Sequence, residues 1–454
     1  MSDTDQQMGV EQFDSLIAVG DGEQLDAYVS GLTTGETARA VSLLEDDDQA
    51  RLLTLMSSEE AADLVEQIPD VQAVPLIEQL EPQTAAAILR ELPSDERADL
   101  LGAIQPENAE AILAEMSPPE SRAARLLTQY PNDVAGGLMV SEFLAFPASI
   151  TAGHVIDDLE QKADEYRDYT VQYVYVTTRA DELAGVLRLR DLLLAHRDQP
   201  IENLMIREPL SITDFATVDE LWDFFHRHHL LGAPVVTAAG RLIGVVHRGA
   251  VEAARQARSE SNYLKSQGIV GGEEFRTMPI LLRSRRRLAW LSVNVVLNVI
   301  AASVIAFYQE TLAAAIALAV FLPIISDMSG CSGSQAVAVS MRELTAGLLR
   351  PTEMLYVLVK EACVGCINGV VLGALIASVA WLWKGNPFLG LVVGAAMALN
   401  TLIAVSIGGT VPLLLKRMNV DPALASGPIL TTITDMCGFF LVLSFASATL
   451  PYLN

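Results

Sequence analysis

The sequence predicts a multidomain membrane protein in three successive parts. These are an α-helical repeat superhelix, a duplicated α/β module and an all-α transmembrane domain of five helices. Three observations predict it. Charge is divided sharply, since 49 of the 56 acids and 24 of the 30 bases precede Leu288. Segments in the first quarter of the chain recur at a spacing of 24 residues. Five apolar runs, each long enough to cross ~30 Å of hydrocarbon, follow Leu288.

The repeat comes first. "LLTLMSSEEAADLVEQIP" (52–69), "LIEQLEPQTAAAILRELP" (76–93) and "LLGAIQPENAEAILAEMS" (100–117) align column by column. Ser58, Pro82 and Pro106 share a column that reads as a helix start, where proline is tolerated. Ala61, Ala85 and Ala109 share a second column; Leu64, Ile88 and Ile112 share a third. A fixed helical period predicts a stacked superhelix over 1–130, more often a binding or gating surface than an enzyme. So acidic a soluble part argues against a nucleic-acid partner and attracts cations, although it also serves solubility. The opening "MSDTDQQMGVEQFDS" has no basic start and no apolar run, so no secretory signal is expected there.

The duplication follows. "VQYVYVTTRADELAGVLRLRDLL" (171–193) is echoed by "LLGAPVVTAAGRLIGVVHRGAVE" (230–252), each reading strand, turn, strand, helix around a shared Gly-Val step. Tandem halves in this order resemble a pair of CBS domains, here over 131–203 and 204–262. That resemblance implies ligand sensing and dimerisation, sometimes with an adenine nucleotide. Its ribose-holding pattern of a hydroxyl and an acid after the Gly is met only in part. Asp191 keeps the acid, Arg188 stands at the hydroxyl position, and the second copy offers His247 and Ala250. ATP or another adenine nucleotide is therefore not expected at this pair.

A connecting, plug-like helix is expected over 263–287, and the membrane domain over 288–454. The apolar runs lie near 288–309, 311–330, 354–383, 386–415 and 427–450. "RSRRR" (283–287), then Arg342, Arg350 and Lys360, then Lys416 and Arg417 fall on one side of these runs, with only Lys384 opposite. The positive-inside rule places the acidic part in the cytoplasm, the C-terminus outside and the chain in the cell (inner) membrane. Cys331, Cys363, Cys366 and Cys437 all lie in the apolar half. The CxxC at 363–366 reads as helix packing rather than a metal or redox site.

Two acids stand at membrane depth, where a charge costs at least ~2.5–3.5 kcal/mol unless paired. Asp435 lies in "ILTTITDMCGFF" (429–440), about 12 Å into a helix expected to start near Gly427. Asp327 precedes "SGCSGSQ" (329–335), where Pro323, Gly330 and Gly333 predict irregular backbone. A water-filled path would satisfy both acids, with Thr431, Thr432, Ser334 and Gln335 adding oxygens. The bland alternative is that each Asp bonds neighbouring hydroxyls as interhelical glue. Oxygen-only surroundings suit a hard cation. Mg²⁺ keeps its waters and needs only one or two carboxylates.

The whole order resembles the MgtE family of magnesium channels. "YPNDVAGGLM" (130–139), "SGCSGSQAVAVSMREL" (329–344) and "VDPALASGPILTTITDMCG" (420–438) are similar to that family's domain junction, second-span segment and fifth-span signature. The resemblance implies a homodimer in membrane lipid, Asp435 as the pore carboxylate for hydrated Mg²⁺, and Asp421 as the acid at the cytoplasmic mouth. It also implies a second, regulatory use of Mg²⁺, bridging acids of the cytoplasmic domains. Here "HRGAVEAARQARSESNYL" (247–264) and "HRHH" (226–229) replace acid-rich stretches, while Glu45, Asp46, Asp47, Asp48, Glu59 and Glu60 remain. The expectation is that contacts through bases such as Arg248 partly replace bridging ions. His226, His228, His229 and His247 would add a pH response, or a small transition-metal site. Two other functions stay open: an H⁺- or Na⁺-coupled carrier for Mg²⁺, Mn²⁺ or Co²⁺, and a non-conducting membrane-anchored sensor. No nucleophile–base set, phosphate loop or HExxH is present, so an enzyme is not expected.

Overall fold

The computed structural model describes residues 13–453 except 14, 168 and 277. The first twelve residues, where no signal is expected, and the side chain of Asp46 lie outside the described residues. The described chain forms two compact units that divide between Arg258 and Ser259.

After helical residues 15–19, nine helices follow among the described residues of the first unit: α1 Gly22–Val29, α2 Thr34–Val41, α3 Asp46–Leu55, α4 Ser58–Gln67, α5 Asp70–Gln79, α6 Pro82–Glu91, α7 Ser94–Ala103, α8 Pro106–Glu115 and α9 Pro118–Leu127. A new helix begins every twelve residues, so the 24-residue period is a helix pair. The array extends beyond the three segments visible in the sequence. The local cause is the two-residue joint. Met56, Ile68, Leu92, Ile104 and Met116 each end a helix in extended conformation and bury their side chains. A Ser, Pro, Glu or Gln then starts the next helix. Alternate helices stack, α4 on α6 and α6 on α8. Ala61 and Ala85 are fully buried, and Leu64, Ile88 and Ile112 are at most 3% exposed, as the shared columns require.

One consequence is titratable. Burial, reinforced by repulsion from Glu66, Asp70 and Asp95, pushes Glu96 up to about 7. Burial and the same acidic neighbours Asp70 and Asp95 do likewise for Asp99. Both hold protons when folded at pH values where the unfolded chain has released them. Their stabilising contribution is complete below the ordinary values of 4.5 and 3.8 and disappears as pH rises through about 7. The thermal midpoint of the soluble part is expected to fall by a few degrees between pH 6 and pH 8. Glu96→Gln with Asp99→Asn should flatten that slope. A midpoint that rises over the same interval contradicts the assignment.

The α/β module holds two four-stranded sheets. Its strands are β1 Met139–Val140, β2 Leu144–Pro147, β3 Tyr173–Thr177, β4 Leu183–Arg188, β5 Ile206–Arg207, β6 Ile212–Thr213, β7 Gly232–Val236 and β8 Leu242–His247. Helices α10 Ala152–Gln161, α11 Leu189–Leu193 and α12 Val218–His228 accompany them. The sheet orders are β2-β3-β4-β5 and β6-β7-β8-β1. Each begins with a parallel pair and continues antiparallel, and each carries a register shift at the same step, Val176/Thr177 and Val235/Val236. The short strand preceding each copy closes the sheet of the other, so a cut at residue 203 does not separate the sheets. The shared glycines have a common reason: a Cβ on Gly185 would strike Met205, and one on Gly244 would strike Met139.

Helix α13 spans Arg248–Ser266 and α14 spans Ile280–Phe307. The connecting helix expected over 263–287 is therefore not one helix. Gly268, Gly271 and Gly272, all at positive φ, and then Pro279 interrupt it.

Among the described residues, five helices or helix groups are long and apolar enough to span a membrane: Ile280–Phe307, Ile316–Thr345, Met354–Lys384, Pro387–Arg417 and Pro422–Ala448. The second opens with the short α15, Gln309–Ala314, and a 3₁₀ turn, Ile316–Val320. It then runs as α16, Leu322–Thr345, followed by α17 Met354–Lys384, α18 Pro387–Arg417, α19 Pro422–Ala448 and α20 Leu450–Leu453. The irregular backbone expected at 330–333 lies instead before α16. Pro323 sits in the first turn, where its missing N–H costs nothing. Helix α18 is the most buried and packs against α16, α17 and α19. The α17–α18 seam uses Gly365, Gly369 and Gly373, at a spacing of four on α17. Cys363 and Cys366 are exposed, so the CxxC does not make that packing.

Candidate cation path

Helix α19 begins at Pro422, five residues before the expected start, because Asp421 caps it: its Oδ1 accepts the Ala423 N–H at 2.9 Å. Asp435 thereby falls at the midpoint of α19, about 20 Å from either end. It is half-buried and accepts a hydrogen bond from the Ser326 hydroxyl. Ser326 is on α16, and the sequence analysis missed it, since nothing distinguishes it from the other serines of that segment.

Asp327, Ser334 and Gln335 share one face of α16 with Cys331, at offsets of four, seven and eight, and all are exposed in the single chain. Thr431 and Thr432 lie one turn before Asp435 on α19. Their hydroxyl protons are spent on the Pro428 carbonyl, at 3.2 and 2.7 Å. Their oxygen lone pairs stay free to accept from a hydrated ion. Two polar stripes thus meet where Ser326 holds Asp435. Asn400 of α18 is a further residue that the sequence analysis passed over. It is fully buried, neither of its amide atoms meets a protein partner, and it lies against Gly438, one turn beyond Asp435.

At the other end of α19, Asp421 Oδ2 pairs with Lys265 Nζ at 3.2 Å. Lys416 and Arg417, both exposed, close α18 just before it.

The remaining candidates lie in the soluble unit. Glu45 stands at the N-cap of α3 with no side-chain bond there, Asp46 is the first residue of that helix, and Asp47 and Asp48 in its first turn, like Glu59 and Glu60 in that of α4, are favourable to the helix dipole. Burial, with repulsion from Asp26, Asp63 and Glu59, holds Glu60 above the usual range. Asp48 pairs with Arg51 at 3.6 Å. The bases of α13 are engaged close to home. Arg248 bonds Glu252 at 2.9 Å, Arg255 lies 3.9 Å over the Trp222 ring, and Arg258 meets Asp219 at 3.2 Å. His226 stacks on the other side chain of that group, Trp222, at 4.0 Å between ring centres. His228 packs on Phe224, and His229 ends α12 at φ 48°. Burial lowers His247, which lines a crevice with Glu142, Thr170, Gln172 and Tyr173. No group of three His, Cys, Asp or Glu converges on a metal-sized point among the described residues. Asp191 is in the first turn of α11 and does not line the cleft of about 200 Å³ whose walls include Tyr173, Tyr175, Ile206, Pro209 and Pro234.

Comparison with known proteins matches the same three parts. The Divalent cation transporter family matches over 322–445, the MgtE intracellular N domain over 32–133 and the CBS domain over 201–254. The Magnesium transporter MgtE of Bacillus subtilis is 30% identical over 329 residues, covering 72% of each chain. That of Enterococcus faecalis is 29% identical over 333 residues, covering 73% of each. That of Thermus thermophilus is 29% identical over 337, covering 72% of this chain and 73% of its own. Among solved structures, the cytosolic domain of the Mg²⁺ channel MgtE in complex with ATP aligns at TM-score 0.48 and 24% identity, covering 54% of this chain and 99% of its own. The soluble part of a magnesium transporter aligns at 0.49 and 21%, covering 56% and 99%. With a relative 30% identical over 72% of both chains, the chain belongs to the MgtE family.

Proposed function

We propose that this chain is a Mg²⁺-permeable channel, formed by two copies that bring their α16 and α19 stripes together around a water-filled path. The observation that carries the reading is Asp435, an acid at the midpoint of a membrane-length helix that accepts a hydrogen bond from a serine hydroxyl. No basic side chain pairs with it among the described ion pairs. A carboxylate in that position is compensated by water and a passing cation. Mg²⁺ suits it because that ion keeps its hydration shell and asks for few direct protein oxygens. The relatives' names, as magnesium transporters, support the same ion.

The basic residues at the ends of α14, α16 and α18 support an orientation with the repeat and the CBS-like module in the cytoplasm and the C-terminus outside. In this reading the soluble domains gate the path and catalyse nothing. Asp327, exposed one residue from Ser326, is a second carboxylate on the same path and bears on selectivity among Mg²⁺, Mn²⁺ and Co²⁺.

The test is the purified chain in planar bilayers under a Mg²⁺ gradient. Unitary currents reversing at the Mg²⁺ equilibrium potential, indifferent to imposed H⁺ or Na⁺ gradients, are expected. Flux that appears only with one of those gradients would make it a coupled carrier. No flux under any gradient would make it a sensor.

A further inference from the structure

Asp421 is occupied. One carboxylate oxygen caps α19, and the other faces the Lys265 ammonium. The partially positive helix N-terminus already neutralises part of that carboxylate. The adjoining turn adds Lys416 and Arg417. This end of α19 therefore sets one base and a helix dipole against one acid, with Arg417 and Lys416 four and five residues before it in the chain.

Lys265 is also not held loosely. Its helix, α13, ends in a reversal in which Gly268 N–H bonds the Lys265 carbonyl at 2.9 Å and Ile269 N–H bonds that of Leu264 at 3.1 Å. Gly272, at φ 71°, folds back on the last turns of α13, where a Cβ would lie 3.0 Å from Lys265 Cε. Beyond it, the Glu274 side chain is 4% exposed and clamped by Arg283 and Arg287 of α14, and Arg286 bonds the Glu273 carbonyl at 2.8 Å. The elbow between α13 and α14 therefore presents the ammonium at a fixed place.

We propose that Lys265 is a tethered cation that occupies the cytoplasmic-mouth carboxylate, so that a divalent ion binds Asp421 only when α13 withdraws its ammonium. The position of α13 then decides whether the foot of the pore helix offers an ion-binding acid. This inference rests on the pore reading of α19 and adds its regulation.

The test is Mn²⁺ binding to the full chain in nanodiscs, followed by electron paramagnetic resonance. In the wild-type background, Asp421→Asn should leave the isotherm within about twofold, since asparagine keeps the cap. Lys265→Met should add Mn²⁺ binding that is tighter by about fivefold, the upper worth of a half-exposed ion pair. Adding Asp421→Asn should remove that gain, and Lys265→Arg should behave as wild type. The proposal is overturned if Lys265→Met changes nothing, or if Asp421→Asn weakens Mn²⁺ binding equally in both backgrounds. Failure of the pore reading would show elsewhere, in transport by Asp435 variants.

Discussion

Asp435→Asn is expected to reduce Mg²⁺ uptake into proteoliposomes at least tenfold for each carboxylate removed, hence about a hundredfold in a two-copy pore. The estimate follows from Coulomb's law. A carboxylate about 5 Å from a divalent ion, with water between, contributes about 1.7 kcal/mol at the dielectric constant of water and about 7 kcal/mol at an effective value of 20. Each 1.4 kcal/mol is a factor of ten in occupancy. A half-buried carboxylate lies between those limits, so the lower figure is a floor. Asparagine still accepts the Ser326 hydroxyl, so the thermal midpoint should barely move, which separates lost transport from lost folding. Asp435→Glu keeps the charge one methylene farther out and should retain part of the uptake. Uptake by Asp435→Asn within threefold of wild type would move the critical acid to Asp327.

Gly333→Val should cost about 3 kcal/mol or more, enough to lose most folded protein on solubilisation. On α16, a Cβ at Gly333 would lie 2.8 Å from Leu430 of α19 and 2.9 Å from the Ala404 carbonyl of α18. From the opposite side, a Cβ at Gly408 would fall on the Gly333 carbonyl. Three helices approach through that one missing side chain, and the Ala404 carbonyl is backbone, which cannot rotate away. Gly330 is the internal control. It sits one turn earlier on the same helix with nothing within 4 Å of its Cβ position, so Gly330→Val should leave size-exclusion profiles and thermal midpoints unchanged. Equal damage from both substitutions would point to helix flexibility rather than close approach.

The features that were legible in the sequence carry a period or a conspicuous charge. Ala61, Ala85 and Ala109 announced the superhelix because stacking identical units forces one small residue into each repeat. Asp435 announced itself as a lone acid in an apolar run. The intervening helices were harder to see: α5, for example, carries Pro75 internally, and only its last turn falls within an aligned segment. The end of α13 was overrun because glycines in a turn read much like glycines in a loose helix. Only the fold shows that Gly268 and Gly272 close an elbow. Pairings were invisible for a different reason. Lys265 and Asp421, or Ser326 and Asp435, are distant in sequence, and no spacing rule connects them.

The twelve-residue cadence of α1–α9 has a bearing on how this chain can change over time. Each helix pair contacts chiefly its neighbours, and every joint has the same length. Removing or adding 24 residues therefore leaves every surviving joint in phase, and alters only how far the array extends. A loss of twelve exchanges one stacking row for the other, and a loss of five breaks the register outright. Length in this region is a quantised variable. Evolution can lengthen or shorten the cytoplasmic arm in whole units while the membrane helices keep their own packing.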